Sequence, residues 1–427
     1  MTDFGTKGTG QAAEFSRDTL ELMREVERQI QPQLAKLEET ADVNQWKVIE
    51  AFQRHKVSDY HFAPSTGYGY NDRGRETLDL VYADVFGAEA GLVRPHFVSG
   101  THTIGTALFG VLRPGERLLY ITGKPYDTLH KVIGKPGDGT GSLADWGVGY
   151  DEVALGSDES PDWTAIRDSI TPATRVIGIQ RSRGYDWRRS FSVADIGEMV
   201  RFVKEIDPNL IVFVDNCYGE FTEPLEPTDV GVDLMAGSLI KNPGGGIAAS
   251  GGYIVGRHDL VELAAYRLTA PGIGGEVGAM LDTTRSLFQG LFLAPSTVAQ
   301  ALKGSVFAAA VFERLGFVTR PLWHEPRTDL IQAIRFDHAE QLIAFVQGVQ
   351  KAAAVDAHVV PEPWPMPGYE HEVIMAAGTF IQGGSLELSA DAPIREPYTA
   401  YMQGGLTYSH CKYAVLKAVQ NIFPRIS

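Results

Sequence analysis

A chain of 427 residues with 53 acidic against 38 basic side chains carries a formal charge of −15. That balance excludes nucleic acid or an anionic membrane surface as the main partner and favours a neutral or cationic small substrate. Two cysteines, Cys217 and Cys411, are too few for a disulfide framework and fit a reducing cytosol, and no Cys/His grouping has metal-ligand spacing.

The length fits a large domain plus a smaller one, with enough buried area for an enzyme. The opening MTDFGTKGTGQA is small and polar and reads as disordered. It has no basic stretch followed by an apolar run, so no secretory signal is expected. No window reaches about 18 uninterrupted apolar residues, so no membrane helix is expected and the expected location is the cytoplasm. From Glu14 to His55 the spacing is helical, with breaks at Pro32 and ETADVNQ that predict at least two segments. Residues 1–60 are thus a predicted helical arm, able to lie on the main domain or embrace a partner subunit.

From about residue 75, apolar runs alternate with helical ones. RLLYIT (117–122), RVIGIQ (175–180), LIVFVDN (210–216), DLMAGSLI (233–240) and GGYIVG (251–256) read as strands. DWTAIRDSI and SVADIGEMVRFVKEI between them read as helices. This alternation predicts an α/β domain with a mostly parallel sheet over residues 61–295. In such a sheet, ligands sit beyond the carboxyl ends of the strands. STVAQALKGSVFAAAVFERLGF then predicts a long helix, and a mixed pattern follows it, so residues 296–427 form a smaller α/β domain. PEPWPMPGYEHE (361–372) is a Pro-rich loop, either a spacer or the wall of a site.

Four features bear on chemistry. Ser99-Gly100-Thr101 opens a helical pattern, where backbone N–H groups can meet a phosphate, or where the serine is an ordinary cap. Tyr126 follows a predicted strand and either stacks on a flat ring or covers the core. Asp215 ends an apolar strand, as a turn or cap residue or as the partner of something cationic. Lys241 ends another strand before GGGIAASGG, where a lysine is costly unless it is used or reaches solvent. Neither the GxxxxGK[ST] cradle nor a properly placed dinucleotide fingerprint is present. Taken in order, a phosphate cup, an aromatic ring, an aspartate and a lysine are what pyridoxal 5′-phosphate (PLP) requires.

The ordered motifs resemble the fold-type I PLP enzymes of cysteine and methionine metabolism. The resemblance is strongest to the aluminium-resistance or methionine γ-lyase-like branch, related to cystathionine β-lyase. It covers most of the chain and includes YGYNDRGRETL, QRSRGY, DNCYGEF and GGSLELSADAPIREPYTAYMQGGLTY. The fold it implies is a large, mostly parallel seven-stranded sheet sandwiched by helices, plus the smaller C-terminal α/β domain. It implies that Ser99, Gly100, Thr101 and Ser238 hold the phosphate, that Tyr126 stacks on the ring, that Asp215 pairs with the pyridinium and that Lys241 forms the Schiff base. The family's Tyr-x-Arg, donated across a dimer interface, has no direct match; Tyr70 and Arg75 are the expected substitutes among Tyr68, Tyr70, Arg73 and Arg75. Gln180, Arg181 or Arg183 stands where an asparagine usually meets the cofactor, and Gln180 is the expected ligand. Glu387 occupies the position of the carboxylate-binding arginine, which leaves Arg395, with Arg183, as the expected substrate grip.

The activity implied is carbon–sulfur bond cleavage by β- or γ-elimination on a cystathionine, cysteine or methionine type of amino acid. Lys241 is expected to act as a base, kept neutral by burial and nearby positive charge, in a homodimer or homotetramer with shared sites. Transamination, or a PLP-binding stress-tolerance protein with little turnover, would use the same lysine and aspartate.

Overall fold

The computed structural model describes residues 15–366 and 371–424. The opening dozen residues and the middle of the Pro-rich loop lie outside them. Helix α1 (Arg17–Arg54) is one continuous helix with Pro32 inside it, not the two segments expected. Ser16 caps it by accepting from the Thr19 N–H. Tertiary burial then outweighs the missing Pro32 N–H: Val26, Ile30, Leu34, Val48 and Ala51 are all buried. The polar break ETADVNQ has a structural use. Asn44 is buried, and its amide donates to the carbonyls of Phe221 (3.2 Å) and Glu223 (3.1 Å), locking the arm onto the main domain.

The chain continues through α2 (Arg73–Val85), β1 (Ala90–Arg94), α3 (Gly100–Val111), β2 (Arg117–Tyr120), α4 (Asp127–Ile133) and β3 (Gly149–Glu152). Next come α5 (Trp163–Ser169), β4 (Thr174–Gln180), α6 (Val193–Ile206), β5 (Ile211–Asp215), β6 (Leu234–Ser238), β7 (Gly252–Gly256) and α7 (His258–Leu268). These seven strands form one sheet in the order β1-β7-β6-β5-β4-β2-β3. Strands β3, β2, β4, β5 and β6 run parallel, while β7 is antiparallel to both its neighbours. The central strands are apolar on both faces, as a sheet covered by helices on each side requires. Along β5, Val212 and Val214 enter one core and Ile211 and Phe213 the other, the period-two alternation of a strand.

Helix α8 (Thr284–Arg314) starts twelve residues before the helical run read from sequence and passes through position 295 unbroken. Its first half packs into the core of the large sheet through Leu287, Leu291 and Val298. Its second half packs elsewhere, through Phe307, Val311 and Phe312. That second core lies under an antiparallel sheet, in the order β10-β11-β12-β9-β8, built from β8 (Val318–Arg320), β9 (Gln332–Arg335), β10 (Val373–Ala376), β11 (Ser389–Pro393) and β12 (Thr399–Gln403). Helices α9 (Ala339–Lys351) and α10 (Tyr408–Ile422) cover it.

Two consequences fix the site. Parallel pairing aligns Gln180, Asp215 and Ala236 across β4, β5 and β6 at their carboxyl ends. The glycines after Lys241 let this turn meet α8 at backbone distance: Gly245 adopts φ +59°, and a Cβ on it would collide with the Gly290 carbonyl.

Candidate active site

Strand β6 ends at Ser238, and three residues on, the chain enters a short 3₁₀ turn (Asn242–Gly244) with Lys241 at its start. Asn242 anchors that turn by donating to the Glu220 carbonyl at 2.9 Å. The lysine is thereby held at the carboxyl edge of the sheet. Its Nζ lies 4.1 Å from the centre of the Tyr218 ring, a cation–π contact. Tyr218 adopts a left-handed φ of +72°, a strained geometry for a bulky side chain that swings the ring over the lysine.

Asp215 is buried at the end of β5 and accepts from the Cys217 N–H at 3.1 Å. Burial raises its pKa, and the Lys241 charge opposes that rise. At Lys241 the balance is reversed. Burial alone would lower its pKa, but Cys217, Tyr218, Asp215 and Tyr126 outweigh burial and raise it well above the ordinary value. The Cys217 thiol is itself pushed far up by burial, and the Tyr126 phenol to about 12, so both stay neutral near pH 7. Asp215 is one of these neighbours, acting on Lys241 from the end of the adjacent strand. In the cofactor-free chain the groups that shift the lysine are thus acidic ones, not the positive neighbours expected.

The phosphate cup forms from two separate elements. Ser99 caps α3, its Oγ accepting from the His102 N–H at 3.1 Å. The Gly100 and Thr101 N–H groups face outward at the positive end of the helix without an intramolecular acceptor. Across from them is Ser238: a Cβ on Gly100 would sit 3.4 Å from the Ser238 Cβ and 3.7 Å from the Cys217 sulfur. The Ser238 hydroxyl is buried with no hydrogen-bond partner. A buried, unsatisfied hydroxyl facing free N–H groups at a helix N-terminus fits a phosphate ester. Tyr126 joins this cup, its hydroxyl 2.7 Å from Thr101 Oγ1, which in turn lies 2.9 Å from Thr128 Oγ1. Ring, carboxylate, amine and anion cup thus meet in one cleft, a combination that suits PLP.

Other expected residues lie differently. The Gln180 amide is committed to its own chain: Oε1 accepts from the Tyr126 N–H (2.8 Å) and Nε2 donates to the Ser182 carbonyl (3.0 Å), so it positions the tyrosine. Arg75 is 1% exposed and turned inward, donating to the carbonyls of Gly69 (2.7 Å), Glu276 (3.1 Å) and Gly278 (3.2 Å). It braces a loop and does not reach outward. Tyr70 is 64% exposed and stacked on Tyr68 at 5.4 Å. Arg183 is buried against Asp329 (3.6 Å) and the Arg320 carbonyl (3.0 Å), while Arg395 lies exposed on the β11–β12 turn. Glu387, where a carboxylate-binding arginine was sought, instead accepts from the N–H groups of Phe380 and Ile381, each at 2.8 Å.

Tyr218, Thr128 and Cys217 were not singled out from sequence. Tyr218 and Cys217 could have been found from their place directly after VDN. Thr128 could not, because its partner is 27 residues away. Among the described residues no group of three His, Cys, Asp or Glu side chains could hold a metal, and no helix is long and apolar enough to cross a membrane.

The sheet order, the single reversed strand β7 and the lysine beyond β6 define the fold-type I architecture, the scaffold of a large class of PLP-dependent enzymes. The chain belongs to the methionine gamma-lyase family, whose model matches residues 19–423. YnbB of Bacillus subtilis (strain 168), an uncharacterized protein, is 57% identical over 416 residues, which cover 96% of this chain and 99% of that one. The crystal structure of a carbon-sulfur lyase involved in aluminum resistance from Clostridium novyi NT is 48% identical. It superposes with a TM-score of 0.94 over 98% of this chain and 100% of its own. Cystathionine gamma-lyase from Lactobacillus plantarum, at 18% identity, shares the fold with a TM-score of 0.56 over 82% of this chain and 86% of its own.

Proposed function

We propose that the protein is a PLP-dependent carbon–sulfur lyase that cleaves a sulfur amino acid to a thiol, a 2-oxo acid and ammonia. The observation that carries this reading is the meeting of Lys241, Asp215 and the unsatisfied Ser238 hydroxyl at the ends of two adjacent parallel strands. When bound, PLP supplies an electron sink for the charge left at Cα as its proton departs.

The residues divide the remaining work. Ser238 Oγ and the Gly100 and Thr101 N–H groups bind the phosphate, and the α3 dipole favours its charge. Tyr126 covers one face of the ring, kept in place by Thr101 and Gln180. Asp215 holds a proton on the ring nitrogen, which its ionised form does best from a buried position. Lys241 would hold the cofactor's aldehyde and, as a free amine, would take the Cα proton. A second copy of the chain covers the exposed Tyr68–Tyr70 pair, in a homodimer or homotetramer where Tyr70 approaches the partner's phosphate cup.

The test is the visible absorption of purified, PLP-supplemented protein before and after adding L-cystathionine, with assays for 2-oxo acid and thiol. A cofactor band that shifts as both products accumulate supports the reading, and the identity of the 2-oxo acid separates β- from γ-elimination. The variant Lys241→Ala should lose the covalently held band and turnover together. A band that ignores every sulfur amino acid offered, or a fully active Lys241→Ala protein, would refute it.

A further inference from the structure

Arg335 ends β9, and its place follows from strand alternation. Ile334 points into the core of the small domain, while Ala333 and Arg335 share the opposite face. Ala333 packs there with Ile331 and Tyr401, and Tyr185, Trp187 and Tyr218 close over them from the large domain. The Arg335 guanidinium lies 4.0 Å from the centre of the Trp187 ring. Its Nε is buried without a hydrogen-bond partner. Among the described residues it has neither a side-chain hydrogen bond nor an anionic partner.

Four arginines around it are engaged. Arg183 bonds to the Arg320 carbonyl beside Asp329, Arg188 to the carbonyls of Gln180 and Ser182, Arg320 to Glu159, and Arg327 to Gln332. A guanidinium held over an indole, with a buried donor left over, is prepared for a planar anion and is costly without one. Arg395, Arg183 and Arg335 all act on the Tyr401 hydroxyl, opposite Asp186.

The position tells which anion. Tyr218 touches Lys241 and also packs on the cluster of Tyr401, Tyr185 and Trp187, and the Trp187 ring carries Arg335. The contacts that link the lysine to Arg335 thus run through these aromatic side chains, and a substrate with its Cα at Lys241 would meet Arg335 with a group beyond its α-carboxylate. We propose that Arg335 binds a distal carboxylate, so that the site selects sulfur amino acids with a second carboxylate, of the cystathionine type, over those of the methionine type. This rests on the lyase reading and goes on to name its substrate class.

The experiment compares kcat/KM for L-cystathionine and L-methionine in the wild-type holoenzyme, Arg335→Gln and Arg335→Lys. Arg335→Gln should lower kcat/KM for L-cystathionine on the order of 10–100-fold, mainly through KM, and change that for L-methionine by less than about 2-fold. Arg335→Lys, which keeps the charge without the fork, should fall between. Equal losses on both substrates would place Arg335 at the shared α-carboxylate and overturn the proposal, as would no loss on either. Calorimetric titration with glutarate, an unreactive dicarboxylate, gives a readout independent of turnover. Binding should weaken in Arg335→Gln by a similar factor, and unchanged binding, or none to the wild type, overturns the proposal. Should the wild type turn over neither amino acid, the lyase reading fails on its own and the glutarate titration still decides the role of Arg335.

Discussion

Replacing Glu220 by glutamine should remove a pH-dependent loss of stability built into the floor of the cleft. Glu220 is fully buried five residues after Asp215, with Oε1 accepting from the Tyr253 hydroxyl at 2.7 Å and Oε2 unpartnered. Burial pushes its pKa from 4.5 up to about 8, against the opposing hydrogen bond from Tyr253. Between those two values the folded chain keeps a proton that the unfolded chain has released. Rising pH therefore favours unfolding: the contribution is complete below pH 4.5 and is lost as pH climbs through 8. Each pH unit in that window withdraws about 1.4 kcal/mol, an upper limit of about 5 kcal/mol by pH 8. For a chain this long, unfolding as one unit, that is about 5 °C in Tm. Glutamine keeps an acceptor for Tyr253 and has no proton to lose. The assay is Tm by circular dichroism from pH 5 to pH 8.5, taken as the difference between wild type and Glu220→Gln so that other titrating groups cancel. Wild type should lose stability relative to the variant across the window, by several degrees. Parallel curves would show that Glu220 ionises normally and refute the reasoning.

Two further outcomes follow from the same geometry. Ser238→Ala should leave the Tm of the cofactor-free protein within about 1 °C, because the hydroxyl has no partner to lose, yet weaken PLP binding roughly tenfold or more by equilibrium dialysis; unchanged affinity would take Ser238 out of the phosphate cup. Arg75→Leu strands three carbonyls, at Gly69, Glu276 and Gly278, and should destabilise the protein by about 2–4 kcal/mol with faster proteolysis near Tyr68–Tyr70. An unchanged Tm would mean that Arg75 does not brace this loop.

Which parts of this molecule could be read from sequence follows from the range of the interactions involved. The strands β2, β4, β5, β6 and β7 carry their own signal, since each is a short apolar run bounded by turn residues. Asp215 and Lys241 were visible for the same reason: each is a polar residue at the end of such a run. The continuity of α1 was not visible, because the pattern at Pro32 and ETADVNQ argues locally for a break. What decides there is Asn44 reaching carbonyls 177 and 179 residues away. Arg75 failed as an outward-reaching residue for a related reason. It was chosen with Tyr70 as a substitute for a motif without a direct match, but the carbonyls of Glu276 and Gly278 that claim it lie some two hundred residues on.

The same argument explains why substrate recognition was the hardest part to read. The cofactor cleft is assembled within one sheet, where β-pairing fixes neighbours and the order of the strands predicts what meets. The proposed substrate selectivity would be assembled between two sheets, where Tyr185 and Trp187 from the β4–α6 loop meet Ala333, Arg335 and Tyr401 from the small domain. Nothing local marks Arg335 among 38 basic residues; it differs from Arg183, Arg188, Arg320 and Arg327 only in lacking a partner, and a missing partner is a property of the folded chain. Of the arginines chosen from sequence, Arg183 is already held by Asp329, while Arg395 lies exposed on a turn. A guanidinium serves an incoming carboxylate best when it is walled, oriented and unspent, and at this interface Arg335 meets all three conditions.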